Sequence, residues 1–173
     1  TAFESCSRLS AHLAFGTLSI REVFQACEKR NQEIKQMPRG AKGKWPSAMR
    51  SFSGRLRWHC HFIQKFEMED RMEFENVNGG YNLLNKEVNA TYVVAWKQGQ
   101  TGFPLVDACM RSVTATGYLN FRMRAMLVSF LTHHLWQPWQ EGVDHLARQF
   151  LDFEPGIHYP QFQMQAGVTG INT

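Results

Sequence analysis

Several features that define whole classes of protein are missing from these 173 residues. No apolar run reaches the roughly 18 residues that a membrane-spanning helix needs, so we expect no membrane association. The first ten residues, TAFESCSRLS, lack the charged start and apolar stretch of a secretory signal. The four cysteines lie far apart and form no CxxC pair, which argues against a disulfide framework and favours reduced thiols. These absences predict a cytoplasmic protein. The length of the chain favours a single domain over residues 1–173.

Closed metal-binding patterns are also missing. The letters WHCH place Trp58, His59, Cys60 and His61 side by side. A zinc site needs a second pair of ligands at a suitable distance along the chain, and no such pair follows. We therefore predict no metal ion.

Acidic residues are absent from a long internal stretch. Residues 34–66, which we call the basic span, contain no Asp or Glu but eight Lys and Arg residues. The formal net charge of the chain is only +4, so the rest of the chain is net acidic. A block of one sign is stabilised by a negatively charged partner, and nucleic-acid phosphate is the natural one. The alternative interpretation is a solvated basic loop.

The apolar residues that are present follow helical spacing. Ser19 and Glu22 form a capping box that starts one helix, and Pro104 and Gly117 mark the start and end of another. Residues 47–74 read as one long helix or as two helices broken near Gly54. Further helices are predicted at residues 9–15, 89–98, 123–131 and 139–151, the third of these from apolar residues at i, i+3, i+4, i+7 and i+8. Residues 38–46 and 155–173 read as loops, and the sequence predicts an all-α fold.

One stretch carries far more landmarks than a helical core requires. Between Gly99 and Gly142 the sequence reads GQTGFPLVDACMRSVTATGYLNFRMRAMLVSFLTHHLWQPWQEG. It resembles the FAD-binding helical domain of the photolyase/cryptochrome family, in which the same TGFP-VDA-MR, TG-aromatic, R-x-R and EG landmarks occur in this order. The resemblance implies an all-α, multi-helix FAD-binding domain. We expect it to be incomplete, because the strand–helix alternation of the family's Rossmann-like antenna domain is absent, so an antenna pigment is expected only where that domain exists.

The resemblance also implies which residues hold FAD. The segment from Cys6 to Ser19 corresponds to the family's pyrophosphate-binding segment, which implies contacts from Ser7, Arg8, Leu9 and Ser10. Near the isoalloxazine ring the resemblance implies an Arg124–Asp152 ion pair. His59, Glu154 and His158 complete the implied set, with His158 beside flavin N5.

A second implied set of residues faces DNA. Trp58 is the expected stacking platform for a pyrimidine, while Arg55 stands where the family has the carboxylate that binds a cyclobutane dimer. Met164 stands where dimer photolyases have a second tryptophan. The remaining residues assigned to DNA are Arg57, Lys44 and Arg122.

The family's electron path is altered in this sequence. Trp139 matches the middle of its three tryptophans, whereas the inner position holds Phe162 and the outer position falls near Lys86. A different path through Trp136, Trp96, Tyr92 or Tyr159 stays open. We assign catalytic roles to Trp139, Trp58 and His158.

Three functions follow as alternatives. The first is a light-driven, photolyase-like lyase that repairs pyrimidine photoproducts by electron transfer from excited reduced FAD, acting as a monomer on DNA that carries a UV lesion. The second is a cryptochrome-like blue-light photoreceptor without repair activity. The third is a helical module that binds no flavin.

Overall fold

The structure, a computed structural model, describes residues 6–170. All regular elements in this range are helical, which confirms the all-α prediction. The α-helices are α1 (Ser10–Ala14), α2 (Ile20–Gln36), α3 (Trp45–Met68), α4 (Ala90–Gln98), α5 (Pro104–Thr116), α6 (Phe121–Ser129), α7 (Gln140–Gln149) and α8 (Pro155–Gln165). Short 3-10 helices cover Arg39–Ala41, Asp70–Glu73 and Gly79–Leu83, and a π-helical turn covers Phe130–His134.

Side chains that cap the backbone set several helix starts. The predicted capping box is present, since the Ser19 hydroxyl accepts from the Glu22 amide at 3.1 Å and Glu22 accepts from the Ser19 amide at 3.0 Å. Asn120 caps α6 in a similar way by accepting from the amide of Met123. These caps satisfy amides that lack a partner within the helix, so the starts are fixed by local sequence.

The long helix α3 is continuous. Gly54 does not break it, and its first turn contains Pro46, which needs no hydrogen-bond donor there. The helix ends at Met68 rather than near Phe74, because Glu69 leaves the helical conformation. A single continuous α3 thus packs against both α2 and α8.

The prediction of an irregular loop over residues 155–173 is wrong for its first part, where α8 forms. Glu154 caps this helix by accepting from the Gly156 amide, and Pro155 occupies the first turn. Its buried face carries Gln163, whose amide group donates to the carbonyls of Met72 and Glu75 at 2.7 Å each. Because a polar residue occupies the centre of the buried face, the apolar spacing that marks a helix is missing from the sequence.

Two clusters of buried side chains form the interior. The larger is built from α4 to α8 and includes Trp96, Met110, Leu127 and Leu131, which are fully buried. The smaller lies between α2 and α3 around Cys27. The first packs α6, α7 and α8 together and so determines where their site-facing residues lie.

Two glycines allow close approach of backbone segments. Gly117 ends α5 with φ +69°, a conformation that favours glycine, and its carbonyl accepts from the Leu151 amide at 2.9 Å. At Gly156 a Cβ atom would lie 2.7 Å from the Cα of Ile63, so α3 and α8 touch through their backbones. These contacts position the segment from Leu151 to Gly156, which carries Asp152 and Glu154.

Candidate functional site

A cleft between α3, α6 and α8 is the candidate site. Its outer part has a volume of about 610 Å³, within the usual range for small-molecule sites. A narrow inner part of about 50 Å³ continues from it, and both parts share Phe121, Ile157, Gln161 and Gln165. The outer part is lined by Cys6, Arg55, Trp58, His59, Phe62, Asn120, Phe121, Arg122, Ile157, Gln161, Met164 and Gln165.

The inner part of the cleft contains the implied ion pair. Arg124 donates through Nη2 to Asp152 Oδ2 at 2.8 Å and through Nε to the Leu119 carbonyl at 2.7 Å. The Arg124 guanidinium also lies 4.0 Å from the Phe150 ring centroid. These contacts hold the cation in one orientation, and the side chain of Asp152 is only 5% exposed. Asp152 Oδ1 is buried and has no hydrogen-bond partner among the described residues.

The N-terminal segment reaches the same end of the cleft. Arg8 lies 5.2 Å from the Tyr118 ring centroid, and Arg124 lies 5.9 Å from the same centroid. Ser7 and Ser10 are exposed, and Leu9 precedes α1. Of the implied pyrophosphate-binding residues, Arg8 is therefore one ring away from the ion pair, while Leu9 packs against the smaller core cluster.

Two histidines belong to the cleft. His59 lines the outer part, and its buried Nδ1 has no hydrogen-bond partner within residues 6–170. Burial lowers the pKa of His59 against the opposing attraction of Glu154. His158 lines the inner part, and burial lowers its pKa to about 4, so its ring is neutral at pH 7. The Val143 carbonyl lies 2.9 Å from His158 Nε2, so Nε2 carries the ring proton. His158 Nδ1 is then a hydrogen-bond acceptor.

The mouth of the cleft gathers four of the residues assigned to DNA. Arg55, Trp58, Arg122 and Met164 all line its outer part. Trp58 is 53% exposed and stacks on Phe62 with the ring centroids 5.5 Å apart. An exposed ring backed by a second ring is a ready stacking surface.

Two of the residues assigned to DNA lie elsewhere. Lys44 precedes the first residue of α3, about 16 Å along the helix axis from Arg55. Arg57 is exposed and is not among the described residues that line the cleft. The cleft mouth therefore contains only part of the basic span.

Trp139 lies deep behind the cleft. Its Nε1 donates to Asn76 Oδ1 at 2.7 Å, and its ring centroid is 6.3 Å from that of Phe162, which lines the inner cleft. On the other side, Trp139 and Lys86 line a separate cavity of about 360 Å³. The Lys86 ammonium donates to the Thr132 carbonyl at 2.6 Å and lies 4.2 Å from the Trp136 ring centroid.

Some cleft residues escaped the sequence analysis. Gln161 and Gln165 line the cleft one turn apart on α8, and they were missed because this segment read as a loop. Asn120 and Phe121 also line the cleft. They were missed because the sequence analysis assigned roles in this segment only to the two arginines of the R-x-R motif. The sequence did contain one signal for α8: an acidic residue, Glu154, followed by Pro155, a pair that is typical of a helix start.

Metal and membrane features can be stated for residues 6–170. Within this range no cluster of three or more His, Cys, Asp or Glu side chains is arranged to hold a metal ion. The same range contains no helix that is long and apolar enough to span a membrane.

Comparison with known families decides the identity of the fold. A family described as the FAD binding domain of DNA photolyase matches residues 52–173. The chain belongs to this family. FAD is therefore its cofactor type, as the resemblance implied.

Individual relatives of this photolyase-type domain include both branches of the family. Deoxyribodipyrimidine photo-lyase of Halobacterium salinarum is 30% identical over 151 residues, which cover 87% of this chain and 30% of the relative. Cryptochrome-1 of Drosophila melanogaster is 31% identical over 155 residues, which cover 86% of this chain and 28% of the relative. A class III photolyase structure from Agrobacterium tumefaciens has a TM-score of 0.83 at 24% identity, covering 95% of this chain and 32% of that structure, and it shows the shared fold. The chain thus spans about a third of the length of these relatives.

The residues of the cleft fit an FAD group. Asp152 Oδ1 and His59 Nδ1 are buried polar atoms without a partner in the described part of the chain, which is an unfavourable state that a ligand would relieve. Phe121, Phe153 and Phe162 give the inner cleft aromatic walls suited to a flat ring system. Arg124 supplies the cation that a negatively charged ring requires.

Proposed function

We propose that this chain is the FAD-binding part of a light-driven, photolyase-like flavoprotein that repairs pyrimidine photoproducts in DNA. The observation that carries the proposal is the oriented Arg124–Asp152 pair, whose second carboxylate oxygen is free at the inner end of the cleft. The same cleft opens to an exposed tryptophan and two arginines. A flavin site and a nucleic-acid surface therefore lie next to each other.

The chain's own residues would bind and tune the cofactor. When bound, FAD supplies a redox-active ring whose reduced form carries negative charge. Arg124 stabilises that charge, while Asp152 orients Arg124 and accepts through Oδ1. Ser7, Arg8 and Ser10 bind the phosphates at the rim through hydroxyls and a cation.

Glu154, His59 and His158 complete the cofactor side. Glu154 holds the start of α8 and attracts the His59 ring that lines the opposite wall. His158 is neutral and presents Nδ1 as an acceptor, so it favours a ligand atom that bears a hydrogen at that position. The phenylalanine walls exclude water from the ring, whereas Leu9, which the resemblance implied as a contact, packs against the smaller core cluster.

The cleft mouth would bind the damaged strand. Trp58 stacks on a base that has been flipped out of the duplex. Flipping costs less free energy for an unpaired or distorted pyrimidine than for a normally paired one. Arg55 and Arg122 bind the adjacent phosphates. Arg57, Lys44 and the rest of the basic span attract DNA over a longer range, and Met164 provides an apolar edge.

A cryptochrome-like photoreceptor is the second candidate. Arg55 favours it, because an arginine cannot accept the hydrogen bonds that the family's carboxylate accepts from a cyclobutane dimer. The cytoplasm and a monomeric state are further proposals, and the free Cys27, Cys60 and Cys109 thiols support the first of these.

A repair assay separates the two candidates. The full-length parent protein, loaded with FAD and reduced, is mixed with oligonucleotides that carry a cyclobutane dimer or a 6-4 photoproduct. Blue light should restore one of the two substrates, while a dark sample should not. Light-dependent flavin chemistry without restoration of either lesion would favour the photoreceptor and contradict the repair proposal.

A further inference from the structure

The structure distinguishes among the aromatic residues that could supply an electron to the cleft. An oxidised tyrosine or tryptophan is stabilised when its acidic proton can move to a nearby base, and destabilised by a nearby cation. Three tryptophans and one tyrosine can be compared by the polar group that contacts each of them.

The tryptophans have unsuitable partners. Trp139 donates to the amide oxygen of Asn76 and Trp96 donates to the Leu127 carbonyl, and neither oxygen is a useful base. Trp136 has the Lys86 ammonium 4.2 Å from its ring centroid, which opposes a positive charge on the ring. Neither Trp139 nor Trp96 therefore has a basic acceptor for its N–H proton, and Trp136 has a cation beside its ring.

Tyr159 has a suitable partner. It is 6% exposed on α8, and its hydroxyl donates to Glu73 Oε1 at 3.2 Å. Glu73 lies in the Asp70–Glu73 turn and is half-buried, so water can take a proton from it. The tyrosine is therefore buried while its base is connected to solvent.

Tyr159 also lies directly behind the cleft wall. Its ring centroid is 5.5 Å from that of His158, which lines the inner cleft, and 5.8 Å from that of Phe66 on α3. His158 in turn lies 5.6 Å from Phe162. A continuous set of rings thus connects Tyr159 to the cleft.

We propose that Tyr159, with Glu73 as its proton acceptor, donates an electron to light-excited oxidised flavin bound in the cleft. One electron passes from the phenol to the flavin, and the O–H proton moves to the Glu73 carboxylate. Tyr159 becomes a neutral radical and Glu73 a neutral acid, while the flavin gains one electron. The proposal rests on the flavin site proposed above.

The protonation of the pair in the dark agrees with this role. Burial and the Glu73 carboxylate raise the pKa of Tyr159 to about 12, so the phenol keeps its proton at pH 7. The proton then moves only when the ring is oxidised. Glu73 is a positioning residue, since it acts on the cleft through Tyr159.

The test uses the FAD-loaded parent protein under blue light without added reductant. In the wild type, transient absorption should show a neutral tyrosyl radical as the flavin bleaches. Tyr159→Phe should lose this radical and slow flavin photoreduction, while Tyr92→Phe, which alters an exposed tyrosine of α4, should leave both unchanged. Glu73→Gln should slow radical formation about a hundredfold, the usual contribution of a positioned base, and Glu73→Asp should restore part of the rate.

A titration without flavin tests the pair on its own. The ultraviolet difference between the wild type and Tyr159→Phe reports the ionisation of this phenol, whose pKa should fall when Glu73→Gln removes the carboxylate. An unchanged pKa would overturn the pairing.

The light experiment also separates failure of this proposal from failure of the flavin site. Bound flavin that is photoreduced at the wild-type rate in Tyr159→Phe would overturn the electron-donor role alone. A long-lived tryptophanyl radical that disappears in Trp139→Phe would do the same. A parent protein that takes up no FAD would overturn both proposals.

Discussion

At the scale of single residues, the ion pair of Arg124 and Asp152 is the feature on which the cofactor account depends. The resemblance implied this pair from two motifs 28 residues apart, and the structure contains it with the two side-chain atoms 2.8 Å apart. Sequence motifs could give the pair because the R-x-R and D-x-E letters are both distinctive. They could not give the unpaired Asp152 Oδ1, because that depends on how tightly the surrounding helices pack.

Removing either partner of the pair should weaken FAD binding. We expect Arg124→Ala and Asp152→Asn to raise the FAD dissociation constant about tenfold to a hundredfold, the value of a charged hydrogen bond. Equilibrium titration of flavin fluorescence measures this change, and far-ultraviolet circular dichroism should show that the helices are retained. Arg30→Ala breaks an exposed ion pair with Glu33 and serves as the control. Unchanged FAD affinity in either variant would contradict a role of the pair in cofactor binding. Lost stability in the variants, with no FAD bound by any of the proteins including the wild type, would support the flavin-free helical module.

His158 predicts a specific dependence of stability on pH. Its folded-state pKa of about 4 lies below the ordinary histidine value near 6.5. Between these values the unfolded chain binds more protons, so His158 makes the folded state lose stability as the pH falls from 6.5 to 4. The loss is at most about 3 kcal/mol.

Urea unfolding at a series of pH values checks this prediction. The wild type should lose more stability than His158→Asn between pH 6.5 and 4, and the two curves should run parallel above pH 7. Parallel curves throughout would show that His158 is not buried in its neutral form.

At the scale of helices, the contact between α3 and α8 determines the shape of the cleft. The sequence predicted α3 from its length and composition but not its continuity past Gly54, since an isolated glycine inside a helix is tolerated when packing supports it. It did not predict α8, because Gln163 and Pro160 interrupt the apolar spacing of that segment. The cleft wall formed by Gln161 and Gln165 was missed for the same reason.

A methyl group at the helix contact should separate α3 from α8. In Gly156→Ala the new Cβ would lie 2.7 Å from the Ile63 Cα, which belongs to the backbone and cannot rotate away. We expect a loss of about 1–3 kcal/mol in the free energy of unfolding and weaker FAD binding. Gly54→Ala is the matched control, because no atom lies within 4 Å of its added Cβ and alanine favours a helix interior.

Chemical denaturation of both glycine variants gives the comparison. Gly54→Ala should be as stable as the wild type or more stable. If Gly156→Ala were equally stable and bound FAD normally, the close backbone contact would not determine the cleft.

At the scale of the whole molecule, positive charge divides between the cleft mouth and the rest of the basic span. The sequence showed the block of positive charge but could not show which of its members face the cleft, because that depends on the rotation of α3. Arg55 lines the cleft, whereas Lys44 and Arg57 lie outside it. Arg122 joins the mouth from α6.

Two double variants test this division. Arg55→Gln with Arg122→Gln removes two charges from the mouth, and Lys44→Gln with Arg57→Gln removes two outside it. Both should reduce the salt dependence of DNA binding by a similar amount. Only the first should also reduce the preference for lesion-containing DNA over undamaged DNA, which competition binding measures. Equal preference in both variants would contradict the placement of the lesion in the cleft.

The most direct test of the central claim is the visible absorption spectrum of the purified parent protein, and of its Arg124→Ala variant, after incubation with FAD and removal of free cofactor. The account predicts a structured flavin band in the wild type, in a ratio close to one flavin per chain, and a much weaker band in the variant. A colourless wild-type protein, or an equally strong band in the variant, would contradict the claim that this cleft binds FAD through Arg124 and Asp152.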